Sequence, residues 1–413
     1  MTRIVRETSS IGGSLGGPPK SCELELSVFG PGYGESILVH LGNEEWMVVD
    51  SCINPNSRIS APLEYLHGIG VNPSKAIKLI VATHWHDDHI RGLGSVVSES
   101  KAAQFICSSA LRKPEFLTLV HAYGKQSMME TSGIQEFYKI INIMQTHQSS
   151  QAPVSPKFAI AERLLWQRAP TISGDHMGRW ISTLAKRFFK RLTFSTCSFI
   201  LPCQVHALSP SDVSLNLAFS EIASLLPSAR ATKRRIVAQS PNHAAVVLFV
   251  KIGAVSILLG SDLEETTNPN AGWSAIVDST TRPLEKASLI KVPHHGSANA
   301  DNPRVWDEML EKEPIAVLSP FVSGAVILPT KTDTLRICRR TDKSYSTAAA
   351  RPGGRIRRDK TVEKTIKETV RSIKPMYGPW GHVRIRTDIK MSNNREWNVE
   401  FFGDALPLRE MYG

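Results

Sequence analysis

The chain has 413 residues, 41% hydrophobic and 21% charged, a balance that suits a soluble globular protein with a large core and argues against a disordered or fibrous one. No apolar run approaches the roughly 20 residues of a membrane span, so no membrane association is expected. The net charge of +11 is concentrated: residues 331–390 hold 17 Lys+Arg against 6 Asp+Glu, which leaves 32 of each sign elsewhere.

The N-terminus lacks an apolar signal core and turns Gly/Ser-rich from Ser9 to Gly17, so residues 1–20 read as a flexible lead. The six cysteines show no pairing grammar, which with no export signal suggests reduced thiols in a cytoplasm. Glu23–Phe29 alternates as a strand, Gly30–Gly34 is a tight turn, and Ser36–Leu41 and Trp46–Val49 are further strands. The last ends at Asp50, a carboxylate that wants a buried partner. A short helix (63–69) and a strand (77–82) lead to His84-Trp85-His86-Asp87-Asp88-His89. Three imidazoles and two carboxylates in six residues cost too much desolvation for a core, and divalent metal is the economical explanation.

A helix from Gly92 and a strand at 103–107 follow. Between about 112 and 192 apolar residues recur at helical spacing and prolines break the segment, which predicts a helical insertion. Its run Lys186–Arg191 mixes bases and aromatics; a helix end packing two Phe is preferred over a nucleic-acid contact. Strands are expected at 193–197 and 204–208, a helix at 213–226, a hairpin at 244–251 and 255–259, and a strand at 289–292. The hairpin ends in Gly-Ser-Asp262 and the strand in Pro-His294-His295-Gly-Ser. A helix (304–310), a strand (315–319) and a possible helix (329–340) precede a Gly/Arg-rich stretch (348–358), and a closing hairpin pairs 382–391 with 396–402. The recurring arrangement is an apolar strand that ends in a polar cluster, at Asp50, His84–His89, Asp262 and His294-His295. Four such ends can converge on one edge of a sheet sandwich.

These residues resemble the metallo-β-lactamase fold hydrolases. Pro31-Gly32-Tyr33-Gly34-Glu35-Ser36-Ile37-Leu38, Leu208-Ser209-Pro210 with Pro241-Asn242-His243-Ala244, and Lys291-Val292-Pro293-His294-His295-Gly296-Ser297 resemble the hydrolase domain of ComEC-type DNA-uptake proteins. The resemblance covers roughly 23–110 and 193–330. It implies an αββα sandwich over 21–330, interrupted by the insertion and followed by a basic extension at 331–413. It also implies two divalent ions, zinc favoured over manganese. His84 and His86 would hold one, Asp88, His89 and His294 the other, with Asp262 bridging and Asp50 supporting the loop from behind. The further His that full dinuclear members use has no clean equivalent here; Asn242 or His243 facing the site is the nearest substitute. Asp88 could orient a metal-activated water, and His295 could contact substrate or protonate the leaving oxygen.

The resemblance and the basic block together point to a nuclease or phosphodiesterase acting on DNA or RNA, with Arg351, Arg355, Arg357 and Arg358 as nucleic-acid contacts. Hydrolysis of a small ester, lactone or nucleotide is the alternative within the fold. A binding subunit with a vestigial metal site, docked on a regulatory protein partner, is the alternative outside enzymes.

Overall fold

The computed structural model describes residues 2–6, 15–32, 34–123, 133–147, 156–169, 171–172, 199–226, 241–323, 325–351, 359–369, 379–390 and 395–412. Among these, two large mixed sheets face each other. The first has nine strands, in spatial order Thr2–Arg6, Trp397–Gly403, Trp380–Asp388, Glu23–Pro31, Ser36–His40, Trp46–Val49, Ile77–Ala82, Gln104–Ser108 and Lys157–Ala159. The second has eight: Leu406–Pro407, Ser344–Ser346, Leu310–Leu318, Ala287–Lys291, Val255–Leu259, Leu248–Ile252, Cys203–Ala207 and Arg163–Arg168.

Side-chain alternation sets the layers. In Glu23–Pro31, Leu24, Leu26 and Val28 enter the core between the sheets, where they meet Val250, Ile257, Leu289 and Val317 of the second sheet. Phe29 faces the other way, onto an outer layer built with helices Ala61–Gly68, Leu93–Glu99, Pro114–Tyr123 and Gly133–His147. The second sheet is covered in the same manner by Gly272–Asp278 and Lys331–Cys338. The order helix, sheet, sheet, helix is the αββα sandwich expected from the sequence. Each large apolar side chain buried there contributes about 1.5–3 kcal/mol, so the three clusters supply the main stabilisation.

Several boundaries differ from the sequence reading. The closing hairpin is not an appendage: Trp380–Asp388 pairs along its full length with Glu23–Pro31, and Thr2–Arg6 pairs in parallel with Trp397–Gly403. The N-terminus therefore has a strand at the sheet edge. The 112–192 stretch is not solely helical, because Lys157–Ala159 and Arg163–Arg168 each extend a sheet. The helix expected at 304–310 is reduced to one turn, Val305–Met309, before a strand that starts at Leu310. The strand expected at 193–197 and the Lys186–Arg191 run lie outside the described residues.

Part of the C-terminal basic charge is used inside the fold. Arg386 bonds Glu25 at 2.7 Å, and Arg384 bonds Glu400 at 2.7 Å, the Tyr65 hydroxyl and the Leu15 carbonyl. Glu25 is fully buried on the helix face of the first sheet, where a lone carboxylate would be costly. The strand register brings its counter-charge opposite: Arg386 is the direct partner of Glu25 across the ladder. Arg336 and Arg340 are likewise paired, with Asp301 and Asp307.

Candidate metal centre

The polar clusters sit where parallel strands end. Trp46–Val49 and Ile77–Ala82 run parallel in the first sheet, and Val255–Leu259, Ala287–Lys291 and Leu310–Leu318 run parallel in the second. Their C-terminal ends carry Asp50, the histidine loop, Asp262, His294-His295 and Ser319. Both sheets thus deliver donors to the same edge of the sandwich.

The largest group among the described residues is Asp88, His89, Asp262 and His295, whose donor atoms all lie within 4.8 Å of one another. His89 Nε2 is 3.2 Å from Asp262 Oδ2 and 3.9 Å from Asp88 Oδ2. His295 Nε2 is 3.4 Å from Asp262 Oδ2 and 3.5 Å from Asp88 Oδ2. Donors bound to one tetrahedral ion at about 2.0–2.1 Å stand roughly 3.3 Å apart, so most of these separations are compatible with a shared ion. Two further observations agree. Among the described residues, His89 Nε2 is buried with no well-aligned hydrogen bond, Asp262 Oδ2 being its neighbour at 3.2 Å, and Asp262 Oδ1 is also unsatisfied. Each ring is held from behind with the free nitrogen inward: His89 Nδ1 donates to Asp50 Oδ2 at 2.8 Å, and His295 Nδ1 donates to the Ser319 carbonyl at 2.9 Å. The residues present therefore fit a divalent ion.

His84 Nε2 and His86 Nδ1 approach to 3.1 Å, again the spacing of two donors on one ion. His84 is fully buried, and burial with the neighbouring His89 and His86 rings holds it well below the usual histidine range, so it offers a neutral imidazole. Asp50 shares a second donor group with His84 and His89, but its oxygens are engaged in hydrogen bonds. It accepts from Thr83 N at 2.8 Å, Thr83 Oγ1 at 2.7 Å and His89 Nδ1 at 2.8 Å.

The structure places the adjacent histidines differently from the sequence reading. His295, not His294, completes the Asp88–His89–Asp262 group. His294 is partly exposed, with Nδ1 3.0 Å from Asn299 Oδ1 and 3.3 Å from Glu264 Oε1. Both residues have positive φ, 46° and 52°, so the chain turns sharply enough to send the second ring inward. Asp50 and Ser261 share this left-handed backbone (57° and 46°). Each such residue costs of order 1–3 kcal/mol and persists only where the surroundings over-determine it. Asn242 is buried and its amide donates to Glu264 Oε1 at 2.7 Å, while His243 belongs to neither donor group. Arg351 is exposed; Arg355, Arg357 and Arg358 lie outside the described residues.

Three residues of the site were missed. Asp87 is no ligand: its Oδ1 accepts from Gly133 N at 2.6 Å, which ties helix Gly133–His147 to the histidine loop. Glu35 and Lys291 form an ion pair beside the donors, at 2% and 0% side-chain exposure. Their signal lay in the Gly-Tyr-Gly-Glu and Lys-Val-Pro-His-His stretches, where only the neighbours were given roles. The loop before Glu35 lies directly on the histidine loop, with Glu35 N donating to Asp88 O at 2.8 Å. A Cβ at Gly34 (φ 135°) would fall 1.9 Å from that carbonyl oxygen, so only glycine allows the contact.

Residues 29–145, under a third of the chain, match the family model described as "Metallo-beta-lactamase superfamily". No curated protein matches the chain. Similar solved structures include the metallo-beta-lactamase fold protein YhfI from Bacillus subtilis, at 12% identity, with 79% of this chain and 96% of that one covered and a TM-score of 0.35. A metallo-beta-lactamase mutant from Cronobacter sakazakii follows at 13% identity, 64% and 75% coverage and a TM-score of 0.29. MIM-1 from Novosphingobium pentaromativorans stands at 12%, 69% and 82%, with a TM-score of 0.29. Likenesses of this size carry no argument about substrate.

Proposed function

We propose that the chain is a metal-dependent phosphodiesterase acting on nucleic acid. The observation that carries the hydrolase part is the convergence of Asp88, His89, Asp262 and His295, with the His84–His86 pair beside them in the same loop. The ComEC-type motifs and the net charge of +11 support the choice of a polyanionic substrate. Fold alone would not choose it.

In this reading Asp88, His89, Asp262 and His295 hold one ion, and His84 and His86 contribute to a second. Bound divalent ions would supply Lewis acidity toward a phosphoryl oxygen and acidify water at neutral pH. The chain itself fixes the donors: Asp50 orients His89, and the Ser319 carbonyl orients His295. Partly exposed His294, tied to Asn299 and Glu264, takes the substrate-contacting role that the sequence reading gave to His295. Arg351 and the neighbouring arginines would contact phosphates outside the site.

The test is a panel of single- and double-stranded DNA and RNA incubated with Zn2+- or Mn2+-loaded protein. Cleavage of at least one polymer is expected, with loss in His86→Ala and Asp262→Ala. If every polymer stays intact while a small ester or bis(p-nitrophenyl) phosphate is hydrolysed, the nucleic-acid assignment fails. Activity that persists in both variants would sink the site.

A further inference from the structure

Lys291 closes the strand Ala287–Lys291 and is completely buried. Its ammonium is ion-paired to Glu35 Oε1, bonds the Ser261 carbonyl at 3.2 Å, and lies 3.6 Å from Asp262 Oδ1. Glu35 reaches the other ligands. Oε2 is 3.5 Å from His295 Nδ1 and Oε1 is 3.8 Å from His89 Nδ1, while its backbone N–H donates to the Asp88 carbonyl. One buried pair therefore touches all four residues of the metal group.

The two oxygens of Asp262 are treated differently. Oδ2 stands between His89 Nε2 and His295 Nε2 at 3.2 and 3.4 Å; Oδ1 points to the ammonium and makes no hydrogen bond. Without Glu35 the nearest charged partner left for a buried ammonium would be Asp262 itself, and a cation lodged on that carboxylate opposes a second one.

We propose that Glu35 and Lys291 are positioning residues: Glu35 anchors the Lys291 ammonium on the Oδ1 side of Asp262, which leaves Oδ2 turned toward His89 and His295 and open to a divalent cation. The inference rests on the metal-binding reading of the site. Its test reads the ion and not hydrolysis, so failure here leaves the substrate assignment untouched.

The measurement is Zn2+ affinity, by competition with a chromophoric chelator, of Glu35→Gln, Lys291→Met and the double variant, each checked for folding by circular dichroism and for its metal-free thermal midpoint. Supporting residues around metal ligands change affinity about 10- to 100-fold, and E35Q is expected in that range. K291M is expected to bind about 10-fold more weakly. Loss of a positive charge alone would tighten cation binding, so a loss there reads positioning and not charge. E35Q/K291M, which leaves no unpaired buried charge and no competing ammonium, is expected to bind Zn2+ more tightly than E35Q. If neither single variant folds, the double variant is compared with the parent and about 10-fold weaker binding is expected. A pair that only stabilises the fold would lower the thermal midpoint and leave Zn2+ affinity parental. Parental or tighter binding in any folded single variant overturns the proposal. So does a double variant weaker than E35Q or, where it stands alone, one with parental affinity.

Discussion

The sharpest consequence of the geometry concerns two adjacent residues. His295 closes the group of Asp88, His89 and Asp262, and His294 points to Asn299 and Glu264 at the rim. Four-donor zinc sites gather about 10–16 kcal/mol of binding energy near neutral pH. Shared over four donors this is about 3 kcal/mol each, or about 100-fold in affinity per donor removed. His295→Ala should therefore weaken Zn2+ binding about 100-fold, and His294→Ala should change it less than about threefold. The assay is titration of metal-free protein with Zn2+ against a chelating dye, with metal content per chain after dialysis as a second reading. His295 also gives up its bond to the Ser319 carbonyl, so the metal-free thermal midpoint must be followed to separate folding from ligation. If H294A loses about 100-fold while H295A stays near the parent, His294 is the ligand and the inward turn of His295 does not describe the binding state.

Three further outcomes follow from single features. Gly34→Ala places a Cβ on the Asp88 carbonyl at positive φ; it should lower stability by about 1–3 kcal/mol and weaken Zn2+ binding at least 10-fold, as read by urea unfolding and dye competition. His40 is buried, donates from Nδ1 to the Glu23 carbonyl, and is held down to about 4 by that burial. Its folded pKa lies below the unfolded value near 6.5, so its share of stability is present above pH 6.5 and is lost as pH falls toward 4, about 3 kcal/mol in all. Urea unfolding at pH 7 and pH 4 should show this difference shrinking in His40→Gln, and an unchanged difference refutes the assignment. Arg384→Met strips Glu400, Tyr65 and the Leu15 carbonyl of a shared donor and should cost about 3 kcal/mol by urea unfolding; a cost under about 1 kcal/mol would make the buried pair incidental.

Legibility in the sequence followed the range of the interactions. The histidine loop was readable because one short segment after an apolar strand carries Asp88, His89, His84 and His86. Asp50 and Asp262 were readable as carboxylates that end buried strands. The choice between His294 and His295 was not, since it depends on two successive left-handed backbone conformations that adjacent identical side chains do not announce. Lys291 was invisible for a different reason. A lysine in an apolar strand reads as a residue reaching for solvent, and only the fold brings Glu35, 256 positions earlier, to its ammonium. The closing hairpin was found as local structure and misplaced globally, because its pairing with Glu23–Pro31 spans most of the chain. Arg384 and Arg386 then counted toward a free basic block when each neutralises a carboxylate inside the first sheet.

The electrostatics of the centre explain why its charge suits a divalent ion. Glu35 is met by Lys291, and Asp50 by Thr83 and His89. Among the described residues, the one fixed cation beside Asp88 and Asp262 is Lys291, 3.6 Å from Asp262 Oδ1. Burial resists ionising them, and the His89 and His295 rings overcome it, which holds both carboxylates well below their usual range. The same contacts act in reverse on the rings. Burial opposes their charge, Asp262 and Asp88 outweigh it, and His295 is pushed up to about 10 while His89 also rises. In the metal-free chain the His89 and His295 rings thus face the Asp88 and Asp262 carboxylates, with Asp50 also held by His89. A divalent ion that takes the same four donors displaces two protons and brings two charges, so the net charge of the pocket is unchanged. A monovalent ion in their place would leave a buried carboxylate uncompensated, at a cost of several kcal/mol.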